Sequence, residues 1–198
     1  VNAVRLAVQV VSVNVGRALP LAAGGRTVLS GIGKRPVAGP VAVGTLGLAG
    51  DEQADPSVHG GRDKAVYAYP VAHYALWQPQ RRAHGVSLFE EALPSGFAGE
   101  NLSIDGLYEA DVWIGDELHF ERLTLRVTEP RQPCFKFAAV MGYADASRDM
   151  LPGSRCGFYL AVVRPGSIAA GETGTLVPGR RALGVVEAFA AKRARHLR

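Results

Sequence analysis

Leu123-Thr124-Leu125-Arg126-Val127-Thr128-Glu129-Pro130-Arg131-Gln132-Pro133-Cys134-Phe135-Lys136 joins an apolar alternation to a proline-punctuated turn. Leu123, Leu125 and Val127 recur every second residue, which predicts a strand. Pro130 and Pro133 hold the chain extended, and Pro133 is suited to open a helix because its missing N–H costs nothing there. The same unit, a short strand closed by a turn signal, recurs along the chain. Strand-type runs fall at Leu6–Val15, Val41–Val43, Ala65–Tyr69, Leu102–Ile104, Leu118–Phe120, Phe158–Val163 and Thr175–Val177. Gly39-Pro40, Asp105-Gly106, Pro152-Gly153 and Pro165-Gly166 mark turns between them. Helical patterns are few: Val71–Trp77, Phe135–Met141, Ala144–Leu151 and Gly184–Arg195. Many short strands without βαβ alternation predict a mainly β fold with a few helices, built as a β-barrel.

A chain of 198 residues that is 47% hydrophobic buries roughly 70% of its unfolded surface without needing staples. The expected organisation is one barrel domain over residues 1–179 and a short basic helical tail over 180–198. No apolar run approaches the ~18–20 residues of a membrane span. The apolar start, interrupted by Arg5, Gln9 and Asn14, reads as a first strand rather than a signal peptide. The formal charge of +4 is concentrated at the end. Arg180, Arg181, Lys192, Arg193, Arg195 and Arg198 stand against Glu187 alone, so the remaining body is slightly acidic. That distribution argues against a nucleic-acid partner. Two cysteines without a framework fit a reducing compartment, the cytoplasm.

Cys134 is the chemically pointed residue. A free cysteine is commonly a small buried hydrophobe. Beside a helix N-terminus and flanked by Arg131 and Lys136, this one also reads as a nucleophile or a soft metal ligand. Cys156 precedes a core strand and reads as structural. Gly44–Lys64 is the longest stretch without a convincing element. Its Asp51, Glu52, Asp55, His59, Arg62, Asp63 and Lys64 are interspersed with Gly47, Gly50, Gly60 and Gly61, which reads as a binding loop whose glycines allow close backbone approach. His59 has room to contact a ligand, whereas His73 reads as a packing or capping residue. Lys34 sits among glycines and is either a solvated turn charge or a phosphate contact. Neither a GxxxxGK run followed by Ser or Thr nor a GxGxxG is present, and no H-E-x-x-H or C-x-x-C builds a zinc site.

Taken in order, Gly31–Val37, Gly47–Gln53, His59–Ala65, Tyr69-Pro70 with His73-Tyr74, Gly99–Ser103 and Pro130–Lys136 resemble the MOSC domain family, named for the C-terminal domain of molybdenum-cofactor sulfurases. The likeness covers residues 31–179 and is greatest to the small stand-alone YiiM-like subgroup linked to resistance against N-hydroxylated bases. It implies a MOSC-type β-barrel that binds the molybdenum cofactor, with Cys134 as the metal ligand and a catalytic residue. His59 would share the catalytic site. Lys34, Asp51, His59, Gly60, Gly61, Asp63, Lys64, Asn101 and Arg131 would line the cofactor pocket. The implied activity is reduction of small N-hydroxylated substrates to amines, fed by a flavoprotein reductase, with no membrane and no nucleic acid involved. Two other readings stay open: a carrier of the cofactor or of a persulfide on Cys134, and a cysteine-dependent hydrolase using Cys134 and His59. Arg62 stands where proline is common in the family. With no C-x4-C-x2-C, an iron–sulfur cluster is not expected.

Overall fold

A computed structural model describes residues 6–54, 60–88 and 91–196. In chain order the strands are β1 (Ala7–Val15), β2 (Leu19–Ala23), β3 (Arg26–Ser30), β4 (Arg35–Pro36), β5 (Val41–Gly44), β6 (Gly47–Leu48), β7 (Val66–Pro70), β8 (Leu102–Asp105), β9 (Glu117–His119), β10 (Thr124–Pro130), β11 (Phe158–Arg164), β12 (Gly166–Ile168) and β13 (Thr173–Val177). The helices are α1 (Tyr74–Ala83), α2 (Phe135–Met141), α3 (Ala146–Asp149) and α4 (Val185–His196).

Hydrogen bonding runs β13-β9-β10-β11-β7-β8-β1, and β13 pairs back onto β1 to close a seven-stranded barrel. Every pairing in the ring is antiparallel except β7 with β8. Closure removes the open edges that would otherwise recruit further strands. β4 extends the sheet beside β1, β12-β5-β6 form a small side sheet, and β2-β3 form a separate hairpin.

Two apolar clusters explain the pattern of burial. Val8, Val10, Val66, Ala68, Leu102, Leu118, Leu125, Val127, Phe158 and Leu160 fill the barrel. Tyr67, Tyr69, Trp77, Phe137, Met141, Met150, Cys156 and Phe189 form a second cluster outside it. β7 is buried along its whole length because its alternate side chains enter the two clusters in turn. The run reads as continuously apolar for that reason.

Several local expectations need correction. The helix after Cys134 starts at Phe135, with Cys134 itself as the extended N-cap residue, so Pro133 precedes the helix rather than opening it. α1 continues to Ala83 through Pro79, since one proline removes only one backbone donor. The span 44–64 contains β6 and a 3-10 turn at Arg62–Lys64. In α4 the inward face is Val185, Ala188 and Phe189, while Leu183 before it, Val186 and Ala190 are exposed. The apolar spacing Leu183, Val186, Phe189, Ala190 therefore does not mark the packed face.

This assignment is tested by stability. Phe189→Ala is expected to cost about 3–5 kcal/mol by opening a cavity in the second cluster. Val186→Ala is expected to stay within about 0.5 kcal/mol of the parent. Chemical denaturation of both variants distinguishes the two faces.

Candidate functional site

A cleft open to solvent lies where the loops after β3, β6 and β10 meet the outer ends of β7, β8 and β11. It brings together Lys34, Asp51, Lys64, Asn101, Arg131 and Cys134, all read from the sequence as site residues, with Glu52, Gln53, Lys136, Tyr67 and Tyr159. The loop segments approach closely through glycine. A Cβ on Gly31 would lie 2.2 Å from the Glu52 carbonyl oxygen, so any side chain there would push two cleft walls apart.

Of the two cations that flank Cys134 in sequence, Arg131 and Lys136, it is Arg131 that meets the sulfur. The Cys134 side chain makes no capping hydrogen bond to α2; its carbonyl accepts the first intrahelical bonds, from the Phe137 and Ala138 N–H groups. Lys136 turns its Nζ to the Leu29 carbonyl at 3.1 Å. The group that meets the sulfur is Arg131, with Nη2 3.6 Å from Sγ. Arg131 is only 5% exposed. Its guanidinium lies 4.9 Å from the Phe137 ring centroid and 5.6 Å from that of Tyr67, and Nη1 reaches Met150 Sδ at 3.6 Å. Among the described residues no carboxylate pairs with it. Aromatic faces and soft sulfur offset part of the desolvation cost, and an anion in the cleft would offset the rest.

Asp51 is the hub of the opposite wall. Its Oδ1 accepts from the Gly16 N–H at 2.9 Å and is ion-paired with Lys34, while Oδ2 accepts from Asn101 Nδ2 at 2.9 Å. Asn101 in turn donates to the Asn14 carbonyl and accepts from the Tyr67 N–H. Asn14 is wholly buried and its Nδ2 donates to Ser103 Oγ at 3.0 Å. A bulge in β1 between Val10 and Ser12 accompanies the burial of this polar side chain. Lys34 is thus already neutralised by Asp51. Lys64 lies 3.6 Å from Glu129. Among the described residues, Arg131 and Lys136 are the cleft cations with no carboxylate partner.

The remaining expected residues fall elsewhere. Gly60, Gly61 and Asp63 are not part of the cleft lining. Gly61, at φ 81°, gives its N–H to Gln53 Oε1, and a Cβ on Gly60 would meet that same oxygen at 2.2 Å. These glycines therefore shape the loop behind the wall. The Asp63 carbonyl accepts from Thr128 Oγ1. His59 lies outside the described residues. His73 pairs with buried Glu109, Nε2 to Oε2 at 2.9 Å, as a packing residue does.

Glu100 was not among the expected site residues, since beside Asn101 it reads in sequence as ordinary turn chemistry. It is fully buried, and its Oε1 accepts from Tyr74 Oη, Gly96 N–H and Ser103 Oγ at 2.5–2.7 Å. Oε2 has no partner among the described residues. Burial holds the carboxyl above the usual range, against the pull of those hydrogen bonds. Its place between two cleft-lining residues, Gly99 and Asn101, was the available signal.

This donor set fits a soft metal delivered inside a larger anionic ligand. Among the described residues no three His, Cys, Asp or Glu side chains converge as a metal cage. Cys134 would thus contribute one soft ligand, with the other positions filled by the incoming group. The uncompensated Arg131 and Lys136 suit the phosphate and polar edges of such a group.

A seven-stranded closed barrel with this loop-built cleft is the architecture of a known class. Residues 55–174 match the family model described as the MOSC domain, and the chain belongs to that family. It is 36% identical over 141 residues to Protein YiiM of Escherichia coli, which covers 71% of this chain and 61% of that protein. It is 35% identical over 162 residues to Uncharacterized protein YflK of Bacillus subtilis, covering 82% and 70% respectively. A protein named Reductase from Gibberella moniliformis is 32% identical over 166 residues, covering 83% of this chain but 28% of that one. The chain therefore spans less than two thirds of the Escherichia coli YiiM and under a third of the fungal protein. The crystal structure of YiiM from Geobacillus stearothermophilus superposes with a TM-score of 0.73 at 32% identity, covering 95% of this chain and 85% of that one. No helix among the described residues is long and apolar enough to cross a membrane.

Two measurements follow. Brief iodoacetamide treatment of the cofactor-free protein is expected to label half-buried Cys134 and spare Cys156, which is wholly buried and whose thiol burial and then Glu109 push up. Peptide mass spectrometry reads the sites. For Glu100, the raised folded pKa favours the protonated fold, a contribution present below the ordinary value of 4.5 and lost as pH rises above it. Urea unfolding at pH 5 and pH 8 should therefore shift the stability difference in favour of Glu100→Gln at the higher pH. A constant difference would contradict it.

Proposed function

We propose that this MOSC protein is a molybdenum-cofactor-dependent oxidoreductase that reduces N-hydroxylated compounds, hydroxylamino-purines among them, to amines. The observation that carries the reading is the half-buried Cys134 sulfur beside buried Arg131, which has no carboxylate partner among the described residues, in a cleft lined by more cations than carboxylates. Membership of the MOSC family supports the cofactor, and likeness to YiiM supports the subgroup. The fungal relative named Reductase devotes only 28% of its length to the matching segment, which supports pairing this domain with reductase modules. Here the electrons would come from a separate flavoprotein.

When bound, the cofactor would supply the two-electron couple needed to break an N–O bond. The hydroxylamine takes up two electrons and two protons and leaves as amine and water. Cys134 would hold the metal. Arg131 would keep the sulfur oriented and balance negative charge around it. Lys136 would receive phosphate and pterin oxygens, while Lys34 and Lys64 stay paired with Asp51 and Glu129 in the walls. Tyr67 and Tyr159, with ring centroids 5.3 Å apart and planes tilted by 43°, give the cleft wall an aromatic edge against which a planar substrate would pack.

The test is molybdenum content and turnover of 6-hydroxylaminopurine with reduced methyl viologen, on protein made in a cofactor-competent host. Cys134→Ser is expected to lose both metal and activity, beyond the ~10–100-fold that a supporting residue costs. Cys156→Ser should keep activity. Full molybdenum content with no turnover would instead favour a carrier role, and turnover without molybdenum would favour cysteine hydrolase chemistry.

A further inference from the structure

β11 alternates with period two, so Phe158 and Leu160 enter the barrel while Tyr159 points outward into the cleft wall. It stands opposite Tyr67 on β7 and opposite Glu129 on β10. Lys64 Nζ lies 5.9 Å from its ring centroid. The hydroxyl end meets Arg131, which hydrogen-bonds it and whose Nη2 is 3.6 Å from the Cys134 sulfur. One guanidinium therefore holds the phenol oxygen and the sulfur side by side at the cleft.

The other cleft groups that carry a proton are engaged elsewhere. Tyr67, the matching tyrosine across the strand pair, donates its hydroxyl to the Cys156 carbonyl at 2.8 Å. Lys34 is paired with Asp51, and Lys64 with Glu129. Lys136 is turned to the Leu29 carbonyl at 3.1 Å. The Tyr159 hydroxyl accepts from Arg131 and, among the described residues, gives its own proton to no acceptor. A phenol keeps that proton at neutral pH. The guanidinium against its oxygen is placed to balance the negative charge left when the proton departs.

We propose that Tyr159 is a catalytic residue, the donor of the proton that the leaving oxygen takes as an N–O bond breaks in the cleft. This rests on the reductase reading above and adds the proton source which that reading needs. A hydroxylamine R–NH–OH takes up two electrons, here from the external reductant, and two protons. As the N–O bond breaks, its hydroxyl oxygen takes the Tyr159 proton and departs as water. The nitrogen keeps the added electron pair and takes the second proton from solvent. The phenolate left at Tyr159 regains its proton through the open mouth of the cleft. A positioned acid of this kind contributes roughly 10²–10⁴-fold in rate.

The test compares the parent with Tyr159→Phe, which keeps the ring, on N-hydroxybenzamidine and on its O-acetyl ester, each with reduced methyl viologen. The ester expels acetate, a stable anion that needs no proton to leave. The variant should lose about 100-fold or more in kcat on the N-hydroxy compound. On the ester it should stay within the ~10-fold that one hydrogen bond accounts for. Its molybdenum content, and its binding of N-hydroxybenzamidine without reductant by equilibrium dialysis, should match the parent's within that same margin. Equal losses on both substrates would overturn the proposal by making Tyr159 a support for the site, and so would unchanged turnover of both. A parent that reduces neither substrate would overturn the reductase reading itself, and this proposal with it.

Discussion

A buried guanidinium with no carboxylate partner among the described residues is the constraint around which the cleft is arranged. Arg131 gives up water for two aromatic faces and two sulfur atoms. Such an exchange recovers only part of the hydration lost. The surrounding structure must therefore hold it in place and leave room for negative charge nearby. Both conditions are met by one short segment. The Arg131 N–H bonds to the Gly157 carbonyl, fixing the turn, and three residues later the chain presents Cys134 at the cleft.

The barrel makes that geometry possible by splitting its strands between two cores. β7 sends Val66 and Ala68 into the interior, and Tyr67 and Tyr69 outward against α1 and α2. The outward tyrosines are what Arg131 packs on. β10 carries a register shift between Val127 and Glu129, so the residues after it leave the regular alternation. Glu129 then bridges two lysines, and Arg131 enters the second core. Across the cleft, Asp51 gathers Gly16, Lys34 and Asn101 into one hydrogen-bonded wall. The two walls carry opposite tasks, one neutralised and rigid, the other left with positive charge.

Much of this was readable from residues. The barrel strands announce themselves because their apolar runs are long enough to show period two, and their ends carry glycine or proline. The hairpin β2-β3 was overlooked although Gly24-Gly25, both at positive φ, is a strong two-residue turn signal. Its flanking strands are half-exposed and lack clean alternation. In α4 the sequence offers two apolar stripes, and only tertiary packing selects the one containing Phe189. For the cleft, Lys34, Asp51, Lys64, Asn101, Arg131 and Cys134 could be named in advance. That Lys34 is cancelled by Asp51, or that Cys134 answers to Arg131 rather than to its helix, depends on contacts across the fold that no local pattern encodes. Glu100 and Asn14 were left out of the expected site for a related reason. A buried polar residue looks in sequence like a surface one until its partners, here Ser103 and Tyr74, are placed around it.

The central claim is that Arg131 and Cys134 act as one unit, the cation and the sulfur each justifying the other. A double-mutant cycle in the cofactor-free protein measures this directly, with Arg131→Met, which keeps most of the volume, Cys134→Ala, and the pair, each followed by urea unfolding. The account predicts that the two changes are non-additive by more than about 0.5 kcal/mol, the level at which contacting residues separate from independent ones. Additivity within that margin would contradict it.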